Sequence, residues 1–357
     1  MVKQYKALGI ISGTALDGVD FAIITTDGFD VFEFGRSISV PYPHELKDKI
    51  RSILKKLDSP LIAEIELEMT QFVIEQAKLF LGDEKVDVVG FHGHTIYHNP
   101  IEKVTKQIGD GKLLAQELGI VVVNKFRNND ILMGGQGAPL SSTFYNAISQ
   151  KIERPLAFVN IGGVSSVTFI GHAGDLIAFN AGAGNSAVDD WVYKKAQMDM
   201  DYNGKLAISG QINEQILNIL MKNKYFAQYP PKAIDRTFFN EKLENLEGLS
   251  LEDGAATATA FCAEAISYSV SMFLPEHPKN VIICGGGAKN PTLVRFIKQR
   301  LHNTNILTAK ELDFNIDAIE AQVFAFLAVR RLECLPASYP STTGVIEPSI
   351  GGEIYIA

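Results

Sequence analysis

The chain twice runs through one order of apolar and polar positions. Near its start the apolar run KALGIIS (6–12) breaks at the turn GTALDG, and VDFAIITTDG (19–28) resumes it. This pattern predicts a β-hairpin with a Gly/Thr/Asp-rich connection. VFEFGRSISVPYP (31–43) supplies a third strand. Between residues 44 and 82 the apolar spacing turns helical, in HELKDKIRSILKKL and again from Leu61 to Leu81. VDVVGFHG (86–93) reads as a buried strand ending in a glycine turn, LLAQELGI as a helix, VVVNKF as a strand and GGQGAP as a loop.

A second pass begins near residue 155. LAFVNIGG is a strand with a glycine turn, VSSVTFIG its hairpin partner, and DLIAFNAGAGN a strand running into a loop. Residues 186–198 and 205–223 predict helices, PPKAIDRTFF a loop-rich crossing, and residues 251–275 a long apolar helix. KNVIICGGGAKN is a strand with a glycine loop, PTLVRFIKQRL a helix, and IDAIEAQVFAFLAVRRL the last large element. The tail STTGVIEPSIGGEIYIA returns as a short strand. The echo predicts two α/β domains facing across a cleft, placed at 1–130 and 131–357, with the tail packing back on the first.

Composition narrows the function. The 357 residues exceed one ordinary domain. The net charge of −8 argues against non-specific binding to nucleic acid or an anionic membrane. No apolar run reaches the roughly 18 residues of a bilayer span. MVKQYKALGIISG meets its glycine too early for a signal peptide, so the expected location is the cytoplasm. Cys262, Cys284 and Cys334 fit neither a disulfide framework nor zinc spacing, and are expected as small buried apolar residues.

Three glycine loops carry candidate chemistry: IISGTALDG, NIGGVSS and CGGGAKN. Glycine lets backbone N–H groups approach an anion, and Ser and Thr add donors. None fits the Walker pattern or the G-x-G-x-x-G dinucleotide pattern. Their recurrence after strands in both halves points to a nucleotide.

GIISGTALDGVD, GFHGHTIYHNP, QIGDG, FRNNDILMGGQGAPL, VNIGGVSSVT, YPPKAIDRTFFN, IICGGGAKNPTL, DAIEAQVFAFLA and TTGV, taken in this order across nearly the whole chain, resemble the motifs of the anhydro-N-acetylmuramic acid kinases, of the acetate/sugar kinase–Hsp70–actin superfamily. GIISGTALDGVD is similar to the GxMSGTSxDGxD signature, and GFHGHTIYHNP to SHGQTxxHxP. FRNNDILMGGQGAPL is similar to FRxxDxxxGGQGAPL. The resemblance implies an α/β fold of two RNase-H-like (actin/sugar-kinase type) domains flanking an ATP cleft. It implies ATP-dependent phosphorylation of 1,6-anhydro-N-acetylmuramic acid with hydrolytic opening of the anhydro ring, giving N-acetylmuramic acid 6-phosphate. ATP and Mg2+ are then the implied co-substrate and metal, a small sugar the partner, and a homodimer the expected assembly.

Carried over residue by residue, the nucleotide set is Ser12, Gly13, Thr14, Ala15, Leu16, Asp17, Gly18, Val19, Gly162, Gly163, Gly285, Gly286 and Gly287. Asp17 is also the metal candidate, against the alternative that it stabilises its turn. The sugar set is His92, His94, Thr95, Arg127 and Glu320. Arg127 suits a lactyl carboxylate because its planar fork binds one bidentately, and the competing reading is a salt bridge to Asp130.

The chain departs from the family pattern at telling places. In the FDTGPGN-like loop the family's base Asp is replaced by Asn180, with Ala181 and Ala183 beside it. An amide accepts no proton at neutral pH, and loss of general-base help typically costs about 10²–10⁴-fold in rate. Phe91, His94, Lys125 and Tyr145 depart elsewhere, and in the PKSTGRE-like stretch only Pro231, Lys232 and Arg236 hold. Three readings stay open: an impaired kinase or one using His94, Asp110, Asp189 or Glu320 as base; a non-catalytic nucleotide- or sugar-binding relative; and a kinase for another sugar, suggested by His94 and Lys125.

Overall fold

The computed structural model describes residues 3–357 apart from Thr14, Ala15 and Asp17. The chain lays down β1 (Tyr5–Ser12), β2 (Gly18–Thr26), β3 (Val31–Pro41), β4 (Val88–Asn99), β5 (Val104–Ile108) and β6 (Val122–Asn124). It continues with β7 (Leu156–Ile161), β8 (Val164–Ile170), β9 (Leu176–Ala183), β10 (Asn280–Cys284) and β11 (Asn305–Thr308), and closes on β12 (Glu353–Tyr355).

The strands form two sheets of one topology. In the first, the order is β12-β6-β4-β1-β2-β3, with β5 paired to β4. The hairpins β1–β2 and β2–β3 are antiparallel, while β4 lies parallel to β1 and β6 parallel to β4. In the second, the order β11-β10-β7-β8-β9 repeats the scheme: β7–β8 and β8–β9 antiparallel, β10 parallel to β7 and β11 parallel to β10. The expected α/β class, with its paired RNase-H-like domains, is therefore present in the strand order itself.

The chain divides into Met1–Gln150 with Asp317–Ala357, and Lys151–Ile316. These bounds differ from a cut after residue 130. The helix Ser142–Ile148 packs on the helix Ile319–Leu332, which itself lies on β1, β2 and β4. Each unit has its own apolar core. Leu8, Ile10, Phe21, Val73 and Val89 lie in the first, and Val159, Phe179, Phe261, Ile283 and Ile297 in the second.

The helix Ile319–Leu332 reaches its sheet because two strand positions lack side chains. A Cβ on Gly9 would lie 1.7 Å from the Ala321 carbonyl oxygen, and one on Gly90 2.0 Å from that of Phe324. Backbone sits against backbone at both places.

Several local expectations shift. β4 does not end at its glycine turn. Gly93, at φ +74°, forms an irregularity within the strand, which continues to Asn99 and pairs with β5. The helix expected over 205–223 breaks at Gly210, where a Cβ would lie 2.1 Å from the Glu252 carbonyl oxygen. It restarts as Glu214–Met221, capped by the Asn213 side chain. Cys262 and Cys284 are buried, but Cys334 is exposed, at φ +54° just past a helix end. Among the described residues, no helix is long and apolar enough to cross a membrane.

The Gly9 contact generates a test. Gly9→Ala must push a helix backbone off the sheet, and overpacking of this kind costs about 3 kcal/mol. Urea unfolding should show a lowered midpoint at an unchanged slope; an unmoved midpoint would mean the helix yields freely.

Candidate active site

In the first unit, β4 delivers His92, His94 and Thr95, and the segment after β6 delivers Arg127. The Arg127 Nε donates to His92 Nε2 at 3.0 Å, so that nitrogen carries no proton. The His92 proton sits on Nδ1, 3.0 Å from the Gly93 carbonyl oxygen. Burial, reinforced by the Arg127 charge, pushes the His92 pKa well below its ordinary value and keeps the ring neutral. The ring also packs on Phe324, with centroids 4.3 Å apart. Arg127 Nη1 donates to the Gly137 carbonyl oxygen at 2.6 Å. Burial lowers the Arg127 pKa to about 10, against the opposing charges of Glu320 and Asp130, so the guanidinium remains charged at neutral pH.

The expected sugar residues therefore separate. His92 and Arg127 are directly bonded, and Glu320, on the first turn of its helix, acts on Arg127 by charge. His94 turns elsewhere: its Nδ1 lies 2.9 Å from Ser12 Oγ, and burial lowers its pKa to about 4. Thr95 accepts from Gln107 within the β4–β5 hairpin. The salt bridge weighed between Arg127 and Asp130 is replaced by a different arrangement. The Asp130 carboxylate accepts from the Gly137 N–H at 2.6 Å, Ser338 Oγ at 2.5 Å and Thr343 Oγ1 at 2.6 Å.

Of the glycine turn after β1, Ser12, Gly13, Leu16, Gly18 and Val19 are described, and Thr14, Ala15 and Asp17 lie outside the described residues. Leu16 is buried with φ +57°, and its N–H meets the Gly13 carbonyl oxygen at 3.2 Å. Gly18 passes β3 so closely that a Cβ would lie 2.1 Å from the Val40 carbonyl oxygen. Val19 is fully buried.

In the second unit, the loops after β7, β9 and β10 meet at one end of the sheet. The Gly184 N–H donates to the Gly163 carbonyl oxygen at 3.0 Å, and the Asn185 N–H to that of Gly162 at 2.8 Å. Ser186 Oγ adds a bond to the Gly163 carbonyl oxygen. A Cβ on Gly285, at φ +74°, would lie 2.3 Å from Asn160 Oδ1, and one on Gly287 2.4 Å from the Ile161 side chain. A Cβ on Gly286 would lie 3.3 Å from Asn185 Nδ2. The glycines thus let three loops close on one another. Asn160 and Asn185 belong to this cluster and were not singled out from the sequence. Asn185 stands at the end of the GAGN loop, the one signal that would have found it.

Asn180 sits buried on β9 beneath the PKAIDR segment. Its N–H donates to the Lys232 carbonyl oxygen at 2.9 Å, its Oδ1 accepts the Ile234 N–H at 3.0 Å, and its carbonyl oxygen accepts Tyr225 OH at 2.6 Å. The two places where the motifs depart most, the Asn180 loop and residues 233–235, are thus one contact. Lys232 Nζ donates to the Tyr225 carbonyl oxygen at 3.1 Å and lies over the rings of Phe273 and Tyr225, at 4.2 and 4.5 Å. Burial lowers its pKa to about 8.

The alternative bases differ in what they are free to do. The Asp110 carboxylate caps the helix Gly111–Leu118, accepting from Lys112 N and Leu113 N. Asp189, on the first turn of the helix Ser186–Ala196, is pushed up to about 7 by burial, against the pull of Arg236. Arg236 itself pairs with Asp190 at 2.6 Å. Lys125 Nζ pairs with Glu353 of β12 at 2.8 Å and lies over the Tyr355 ring. Phe91 and Tyr145 are core residues.

Residues 5–357 match the family model described as anhydro-N-acetylmuramic acid kinase. A relative of that name from Paramagnetospirillum magneticum (strain ATCC 700264 / AMB-1) is 41% identical over 356 residues, covering 98% of this chain and 99% of its own length. Another, from Rhodospirillum rubrum, is 40% identical over 358 residues, covering 98% and 94%.

The Lys232 environment predicts a pH dependence. Its folded pKa of about 8 lies below the ordinary 10.5, so between these values the unfolded chain holds more protons. Stability from this group therefore rises with pH across that window. Melting temperatures of the wild type relative to Lys232→Met should climb from pH 7 to pH 10; parallel curves would show an unshifted lysine.

Proposed function

The chain belongs to the anhydro-N-acetylmuramic acid kinase family, and on that premise we propose that it phosphorylates 1,6-anhydro-N-acetylmuramic acid with ATP while water opens the anhydro ring. The water oxygen bonds to C1 and the C1–O6 bond breaks. O6 then bonds to the γ-phosphorus, the bridge to ADP breaks, and one proton leaves the water. The product is N-acetylmuramic acid 6-phosphate, a step of cell-wall recycling in the cytoplasm, carried out by a homodimer.

The observation that carries this reading is the family match across residues 5–357. The Arg127 cluster supports it. A guanidinium aimed by His92 and Gly137 suits the carboxylate of a lactyl group, because a fixed planar fork binds one with two parallel bonds. Side chains at Gly285 or Gly287 would run into Asn160 Oδ1 or the Ile161 side chain, so the glycines let these loops pack together; glycine loops of this kind, those of Gly162, Gly163, Gly285, Gly286 and Gly287, suit nucleotide phosphates because they leave backbone N–H groups approachable. Among the described residues no cluster of three or more His, Cys, Asp or Glu could hold a metal on its own. Mg2+ commonly arrives on the substrate's phosphates and takes only one or two carboxylates from protein; Asp17, the candidate for such a carboxylate, lies outside the described residues. Bound there, ATP and its Mg2+ supply the phosphoryl group and neutralise its charge.

The water's proton is the weak point. Asn180 stands where the resemblance puts the base, and its Oδ1 is engaged by the Ile234 N–H. The reaction then runs on positioning and charge stabilisation, at a reduced rate. A second reading rests on Asp189, whose pKa near 7 suits a general base at neutral pH.

The test is to incubate the protein with ATP, Mg2+ and the anhydro-sugar and follow the 6-phosphate. Slow product formation is expected; none at any protein concentration would leave a binding protein. Asn180→Asp should raise kcat by about 10²–10⁴-fold. An unchanged rate in that variant, with activity lost in Asp189→Asn, would move the base to Asp189.

A further inference from the structure

Asp130 is a buried carboxylate at the junction of three segments of the first unit. It stands three residues after Arg127, on the short helix Asn128–Leu132. One oxygen accepts the Gly137 N–H, and the other accepts both Ser338 Oγ and Thr343 Oγ1, all within 2.5–2.6 Å. Its own carbonyl oxygen takes the Gly135 N–H at 2.8 Å, and the Gln136 N–H reaches the Thr343 carbonyl oxygen at 2.7 Å. A carboxylate is worth burying only where donors replace its water, and here three do.

The consequence lies one bond further on. The residue whose N–H Asp130 holds is the residue whose carbonyl receives Arg127 Nη1 at 2.6 Å. Gly137 has φ +67°, a conformation other residues rarely adopt, so the N–H held by Asp130 and the carbonyl met by Arg127 stand on the two sides of one left-handed residue. Gly135 approaches so closely that a Cβ would lie 2.2 Å from Asp130 Oδ1. The loop therefore has no room to slide while the carboxylate stays.

We propose that Asp130 is a positioning residue for substrate recognition: through the Gly135–Gly137 loop it fixes the guanidinium of Arg127 in the orientation that receives a substrate carboxylate. The inference rests on the reading of Arg127 given above. It adds that the C-terminal segment carrying Ser338 and Thr343 takes part in recognition without touching the sugar.

The test compares two sugars and two sites in the full chain. Asp130→Asn keeps the shape and removes the charge. For the lactyl-bearing anhydro-sugar its KM should rise about tenfold with kcat little changed, the pattern of lost uniform binding. For 1,6-anhydro-N-acetylglucosamine, which lacks the carboxylate, KM should match the wild type. Combined with Arg127→Lys, the loss should be no greater than for Arg127→Lys alone, because both act through one guanidinium. Thr343→Val, which removes a single donor, should show the same selectivity on a smaller scale and decides the matter if Asp130→Asn does not fold. Equal KM changes for both sugars, or additive losses, would overturn the proposal and leave Asp130 a structural residue. An unaltered KM in Arg127→Lys would instead overturn the role of Arg127.

Discussion

The first unit depends on one close approach, that of the helix Ile319–Leu332 to its sheet across Gly9 and Gly90. Every other residue type at these positions would hold the helix off by at least a Cβ, and helix backbone already lies where that atom would go. The contact does more than close a core. It seats Phe324 against the His92 and Phe126 rings and brings Glu320 within electrostatic reach of Arg127. A helix that follows the entire second unit in sequence thereby completes a cluster begun on β4.

Around that contact, charge is managed by direction rather than by pairing. Arg127 gives one bond to a neutral imidazole and one to a carbonyl. Asp130 receives hydroxyls and a backbone N–H instead of the guanidinium three residues away. Held apart in this way, neither charge is stranded: Arg127 has an imidazole nitrogen and a carbonyl as acceptors, and Asp130 has three donors.

Much of this was legible in the chain. The two hairpins, the long helices Ile62–Leu81 and Leu251–Phe273 and the closing helix followed from apolar periodicity, since each is long enough for its period to register. β5, β11 and the helices Asn128–Leu132 and Ser142–Ile148 were too short for that, and their places are set by pairing and packing. Gly93 read as a turn because local sequence does not distinguish a turn from an irregularity inside a strand; only its neighbour β5 decides. The sugar residues were named as a group, yet His94 faces Ser12 rather than Arg127. Strand alternation would put positions 92 and 94 on one face, and the register break beside Gly93 adds a rotation that spacing alone cannot convey. The partner of Lys125, Glu353, lies far along the chain and was not legible from its neighbours.

The departures at Asn180 and at residues 233–235 belong to one physical problem. Lys232 is buried, and burial is the cause that lowers its pKa. It is tied to Asn180 through the Tyr225 backbone and hydroxyl and through its own carbonyl. The ammonium is supported by the Tyr225 carbonyl oxygen and by the aromatic faces of Phe273 and Tyr225. Asn180 and the segment over it are thus held by one set of bonds: the Asn180 amide takes the Ile234 N–H, its backbone meets the Lys232 carbonyl, and a change at either end alters the other's partners.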